Sequence, residues 1–194
     1  KESDFEYREV PVPEIREGQV LIKTSHISLD PSMRGQMENR ADYVAPLQIG
    51  DVMRAGCIGQ IVASRHPDYP TGTQVGGSFG MQDYCVSDGR NPPFRVFDAD
   101  IDPTMALGVL GGTGMTAYFG LLELGEPKPG DAVVISGAAG ATGSVAGQMA
   151  KIKGCTVSGM AGPDEKCAWL KELGFAGAIN YRTQDIATEL DRFC

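Results

Sequence analysis

The residues best suited to chemistry lie in the stretch SGAAGATGSVAGQMAKIKG, Ser136 to Gly154. Ala138, Gly140 and Gly143 occupy the three glycine places of a dinucleotide fingerprint. A pyrophosphate sits on a helix N-terminus, where free N–H groups and the positive end of the dipole meet it. Side chains in the turn would block that approach. Ala138 in the first place departs from the pattern. A tight turn that binds nothing could carry the same glycines, so the flanking elements must decide. No Gly-Lys-Ser/Thr comes after the turn, which excludes a Walker A loop.

Those elements are legible. AVVIS, Ala132–Ser136, reads as a short apolar strand of the parallel-sheet kind. SVAGQMAKIK reads as a helix with Val145, Met149 and Ile152 on one face, closed by Gly154. CTVSGM is a second strand. PDEKCAWLKELG is a second helix with Pro163 at its start, two acids in its first turn and Gly174 after its end. AGAINY is a third strand. This βαβαβ order is one mononucleotide-binding half of a doubly wound sheet.

The choice of dinucleotide depends on charge. An NAD site places an acid about 20 residues on, at the end of the second strand, to bond the ribose hydroxyls. Here that region is Gly159–Met160–Ala161–Gly162, without an acid. Lys166 comes soon after, with Tyr181 and Arg182 beyond the third strand. A Lys ammonium suits a phosphate, so NADP(H) is expected. Asp164 and Glu165 read as dipole partners of the helix start.

Upstream, the texture differs. Up to about residue 102 the chain reads as β and loop: QVLIKTSHISL after a Glu17–Gly18 turn, then GCIGQIVAS and DYCVS, with HPDYPTGTQVGGSFG as a Gly- and Pro-rich break. From Pro103, PTMALGVLGGTGMTAYFGLLELG shows helical stretches interrupted by glycines. A net charge of −8 over 194 residues argues against a nucleic-acid or anionic-membrane surface. Cys57, Cys85, Cys155, Cys167 and Cys194 are scattered, with no CxxC pair; this and the charged N-terminus lead to an expectation of a cytoplasmic protein. His26 and His66 are the only histidines and neither neighbours a cysteine, so no metal site is expected. Gly76–Gly77–Ser78–Phe79–Gly80 matches the GxSxG elbow of serine hydrolases, but MQDYCVS, directly after it, reads as a strand rather than a helix.

The stretches LDPSMRGQM, GMTAYFGLLELG, AAGATGSVAGQMAKIKGC, PDEK and NYR resemble the zinc-independent medium-chain dehydrogenase/reductases, in the branch of prostaglandin, curcumin and 2-alkenal reductases. The resemblance implies an α/β fold: a GroES-like β-rich substrate domain over residues 1–109, then over 110–194 the first half of a Rossmann sheet, apparently truncated. It implies that Gly140, Ala141, Thr142 and Gly143 cradle the NADP pyrophosphate and that Lys166 and Tyr181 hold the 2′-phosphate. Thr116 would lie near the nicotinamide. The family's DPYMR motif reads here with Ser32 in place of Tyr, so Ser32, Met33, Arg34 and Thr116 are pocket candidates, with no catalytic residue assigned. Arg34 has an equally good structural reading, pairing with a carboxylate to fix its loop.

The function so implied is NADPH-dependent reduction of the carbon–carbon double bond of a small enone or enal, by a parent protein that is a homodimer. Two alternatives stand beside it: a quinone oxidoreductase, and an inactive NADP-binding protein. A full dinucleotide domain has about six strands, and three are legible here, so a fragment of a longer enzyme is expected.

Overall fold

The computed structural model describes residues 1–38 and 45–193 and divides the chain into two compact units, Lys1–Leu107 and Gly108–Cys194. Cys194 itself lies outside the described residues.

The first unit is built on a five-stranded antiparallel sheet of β1 (Val20–Ile27), β2 (Cys57–Ser64), β3 (Gln74–Gly77), β4 (Tyr84–Ser87) and β5 (Phe94–Phe97), in the order β4-β1-β2-β3-β5. Alternation decides which face is covered: Val20 and Ile22 of β1 point into the core. Ile22 stands opposite Ile61 of β2 and Cys85 of β4. Val75 and Phe79 complete the packing. Two short helices accompany the sheet, α1 (Ser32–Met37) and α2 (Pro103–Leu107).

β3 departs from expectation. β3 runs through the segment read as a break. A Cβ on Gly76 would come within 2.6 Å of Ile58 and Phe97 side chains. The glycine is there because large residues on β2 and β5 fill its space, so a residue that signals a loop locally serves a strand. After β3, Ser78 leads into loop and then β4, with no helix; the elbow geometry is absent.

The second unit holds a parallel sheet of β6 (Ala132–Ile135), β7 (Thr156–Ala161) and β8 (Gly177–Asn180), in that order. α3 (Gly112–Tyr118) runs on into a wider π-helical stretch, Phe119–Leu124, and packs beside α4 (Ala141–Ile152). α5 (Asp164–Glu172) links β7 to β8, completing the βαβαβ order. A sixth helix, α6 (Ile186–Phe193), lies beyond β8 and was not expected.

β6 runs parallel to β7, as its apolar sequence led us to expect. One reading of this unit is corrected. On α4 the expected face fails, since Ile152 is 86% exposed. The buried positions are Ser144, Gly147 and Ala150. Small residues let the helix sit close to the sheet: a Cβ on Gly147 would fall 2.0 Å from the ring of buried Phe175. As expected, Gly154 and Gly174 terminate their helices with positive φ.

Candidate functional site

The turn between β6 and α4 is shaped by missing side chains. Gly137 has φ of +58°, a region open to glycine at little cost. The Gly140 N–H donates to Gly137 O at 2.8 Å, closing the turn. A Cβ on Gly143 would lie 2.5 Å from Gly137 O and 2.9 Å from Ala138 Cα, so the first turn of the helix presses directly on the loop. Ala138, the departure from the fingerprint, is fully buried. Its methyl fills the space left bare by Gly159 on β7, where a Cβ would come within 2.6 Å. The loss of a glycine on one strand's turn is matched by a glycine on the next strand.

α4 begins without a side-chain cap, because Gly140 is its N-cap. By helix geometry the N–H groups of Ala141, Thr142 and Gly143 have no partner inside the helix. Gly140 and Ala141 are exposed and Thr142 is half-buried. The α4 N-terminus with a bare loop before it can hold an anion.

The other expected residues gather at the end of β7, the neighbouring strand. The Ala138 N–H donates to Met160 O at 3.0 Å, tying the glycine turn to that strand. Tyr181 N–H donates to Ala161 O at 3.2 Å, which carries the ladder one residue beyond β8 and sets Tyr181 beside the strand end. Lys166 is exposed in the first turn of α5, its N–H donating to Pro163 O. Below it, the Cys167 thiol is pushed up from its ordinary value, by burial first and then by the Asp164 charge, so it stays neutral. The glycine turn, Lys166 and Tyr181 therefore lie at the carboxyl ends of adjacent parallel strands, where open α/β sheets bind their ligands.

Thr116 is exposed on α3, its hydroxyl donating back to Gly112 O at 2.8 Å. Ser32, Met33 and Arg34 belong to α1 of the first unit. Ser32 is exposed, Met33 packs against the first core, and Arg34 Nε lies 3.9 Å from Glu38 Oε1 one turn on.

The first 93 residues match the family model described as "N-terminal domain of oxidoreductase", and residues 141–194 match the one described as "Zinc-binding dehydrogenase". The NADPH-dependent curcumin reductase of Escherichia coli is 43% identical over 192 residues, covering 98% of this chain and 55% of that protein. The NADP(+)-dependent 2-alkenal reductase of Nicotiana tabacum is 36% identical, covering 100% of this chain and 58% of its own. The crystal structure of CurA from Vibrio vulnificus in complex with NADPH superimposes with a TM-score of 0.88 at 40% identity, over 95% of this chain and 55% of that one. These relatives are zinc-independent reductases of the medium-chain dehydrogenase/reductase type, and this chain is similar to them over nearly its whole length.

The chain spans a little over half the length of the curated relatives it matches. Among its described residues no group of three or more His, Cys, Asp and Glu could hold a metal ion, and no helix is long and apolar enough to cross a membrane. The four described cysteines are free.

One residue at the heart of the second unit is not singled out by its sequence context. Asn180, at the end of β8, is buried. Its Nδ2 donates to Asp164 Oδ1 at 2.5 Å and its Oδ1 accepts the Arg182 N–H at 3.0 Å. Its backbone N–H donates to Gln184 Oε1 at 2.8 Å. Asp164 is thus more than a dipole partner: it anchors α5 to the end of β8. The one signal available was the polar Asn180 closing an apolar strand, a residue whose burial requires partners.

Proposed function

We propose that the chain carries the dinucleotide-binding half of an NADPH-dependent reductase acting on the carbon–carbon double bond of small α,β-unsaturated ketones or aldehydes. The observation that carries the reading is the uncapped start of α4 behind a side-chain-free turn, with Lys166 and Tyr181 at the adjoining end of β7. The turn fits a pyrophosphate because the space a Cβ would occupy at Gly143 is backbone. The strand end fits a 2′-phosphate because it offers a cation and a phenol, and the last residues of β7 and Gly162 after it carry no acid. The names of the relatives, curcumin reductase and 2-alkenal reductase, support the substrate class.

NADPH, when bound, supplies the hydride that reaches the β-carbon of the substrate. The residues of this chain hold and orient. The N–H groups of Ala141, Thr142 and Gly143 hold the pyrophosphate at the dipole's positive end. Lys166 and Tyr181 hold the 2′-phosphate. Thr116, on the helix beside α4, is our candidate for the nicotinamide end. Met33 is built into the core of the first unit and Arg34 has a carboxylate neighbour, so both are read as supports of α1 rather than reacting groups. The domain division expected over 1–109 and 110–194 is kept as part of this proposal.

The test is a titration of the protein with NADPH and with NADH by nicotinamide fluorescence, then an NADPH-oxidation assay with an enone and with a quinone. Tighter NADPH binding and turnover of the enone over the quinone are expected. Equal binding of the two cofactors would sink the cofactor assignment. Preference for the quinone would replace the substrate class, and binding without turnover of either would leave a dinucleotide-binding protein.

A further inference from the structure

We propose that Arg182 sets the preference for a 2′-phosphorylated dinucleotide, acting as a second cation beside Lys166, with Asn180 as the residue that positions it. This rests on the dinucleotide reading proposed above. Three features of the strand end lead there.

The first is placement. Gly162, the residue directly after β7, is buried and has no side chain. Arg182 fills the space instead: its Cδ and Nε lie 3.0 Å from the point a Gly162 Cβ would occupy. The arm is laid across the end of the second strand, where dinucleotide sheets meet the adenosine ribose and where an Arg accommodates a 2′-phosphate.

The second is availability. None of the ion pairs among the described residues involves the Arg182 guanidinium. Its Cζ lies 6.0 Å from the centroid of the Tyr181 ring. The guanidinium stands over the ring at the outer limit of cation–π distance. That planar fork matches two phosphate oxygens at once, which a Lys ammonium cannot do.

The third is the treatment of the acid. Asp164 is the carboxylate closest in sequence to the end of β7, and a free carboxylate there would repel a phosphate and favour ribose hydroxyls. Asn180 commits one Asp164 oxygen through Nδ2, while its own Oδ1 holds the Arg182 N–H. A single buried amide thus restrains the acid and fixes the backbone of the base. Lys166 alone would be a mobile point charge; the Arg182 arm lies against Gly162 and over the Tyr181 ring.

The experiment compares wild type, R182Q and R182K by equilibrium titration with NADPH and NADH, with adenosine 2′,5′-bisphosphate as competitor. R182Q should weaken NADPH and the bisphosphate about tenfold, in line with loss of a charged hydrogen bond, and leave NADH unchanged. R182K should recover part of the preference. Trp169 fluorescence in urea shows whether each variant is folded; should R182Q unfold, R182K carries the same comparison, with charge kept and fork lost. A wild-type preference for NADPH that survives both substitutions overturns the role of Arg182 alone. A wild type that binds neither cofactor, or both equally, overturns the dinucleotide reading and this inference with it.

Discussion

The three glycines of the β6–α4 turn are required for three different physical reasons, and alanine at each should separate them. Gly143→Ala is the severe case. Its Cβ would lie 2.5 Å from Gly137 O and 2.9 Å from Ala138 Cα, both backbone atoms, and Ala138 is fully buried, so the loop cannot retreat inward. Overpacking of this kind costs about 1–3 kcal/mol, offset by up to about 1 kcal/mol from replacing a helical glycine. A net loss of about 1–2 kcal/mol is expected, with the loop driven outward into the space proposed for pyrophosphate. Gly140→Ala meets its nearest atom at 3.1 Å, on backbone of ordinary φ, and should change stability by less than about 0.5 kcal/mol. Its methyl would stand on the exposed helix start, so NADPH binding should weaken with stability kept. Gly137→Ala meets nothing within 4 Å, but its φ of +58° should cost about 1–2 kcal/mol. Trp169 is the only tryptophan and lies on α5, so its emission in urea reports this unit. A Gly143→Ala protein as stable as wild type would refute the close approach of helix and loop. A Gly140→Ala protein with undiminished NADPH affinity would refute the turn as the pyrophosphate cradle.

Gly147→Ala should cost about 2 kcal/mol, because the Phe175 ring stands 2.0 Å from the added carbon; the same change combined with Phe175→Leu should cost less than the two effects summed, and strict additivity in urea melts would exclude the contact. Burial pushes the Cys57 and Cys85 thiols up, the Cys57 charge adding to the effect at Cys85. Their raised folded values give stability complete below the ordinary thiol value of about 8.5 and lost as pH rises through the folded values. Iodoacetamide at pH 8 should therefore label half-buried Cys155 before Cys57 and Cys85, which should react only as urea opens the first unit, at a midpoint that falls above about pH 9; equal labelling rates at these three in the native protein would contradict this. Asp185 accepts the Thr188 N–H and hydroxyl at 2.9 and 2.7 Å, and these two bonds hold its carboxyl below the usual range. The sign is that of an acid stabilising above its unfolded value of about 3.9 and failing as pH falls through the lower folded one. Asp185→Ala should lower the protection of the amides of Ile186–Phe193 against exchange at neutral pH; unchanged protection would show that the cap does not hold α6.

What could be read from the sequence divides along the reach of the interactions involved. The strands β1, β2, β4, β6, β7 and β8 and the turn before α4 are written in neighbouring residues: apolar runs, Gly154 and Gly174 as stops, a glycine pattern between strand and helix. The misreadings have partners far along the chain. Gly76 signals a break until Ile58 and Phe97 are seen on either side of it. Val145, Met149 and Ile152 look like a buried face until Phe175 claims the small face at Gly147. Ala138 looks like a flaw in the fingerprint until Gly159, on the next strand, is found to leave room for its methyl. The same holds at the strand end. An acid missing after β7 could be read locally, and it pointed to phosphate. That Asp164 is restrained by Asn180, and that Arg182 lies across Gly162, are contacts spanning 16 residues in the first case and about 20 in the second. The coenzyme preference proposed above therefore depends on the amide that ties α5 to β8 as well as on the cations Lys166 and Arg182. Of two sequences with the same cations, the one whose strand-end amide is lost should leave its acid free to compete for the ribose.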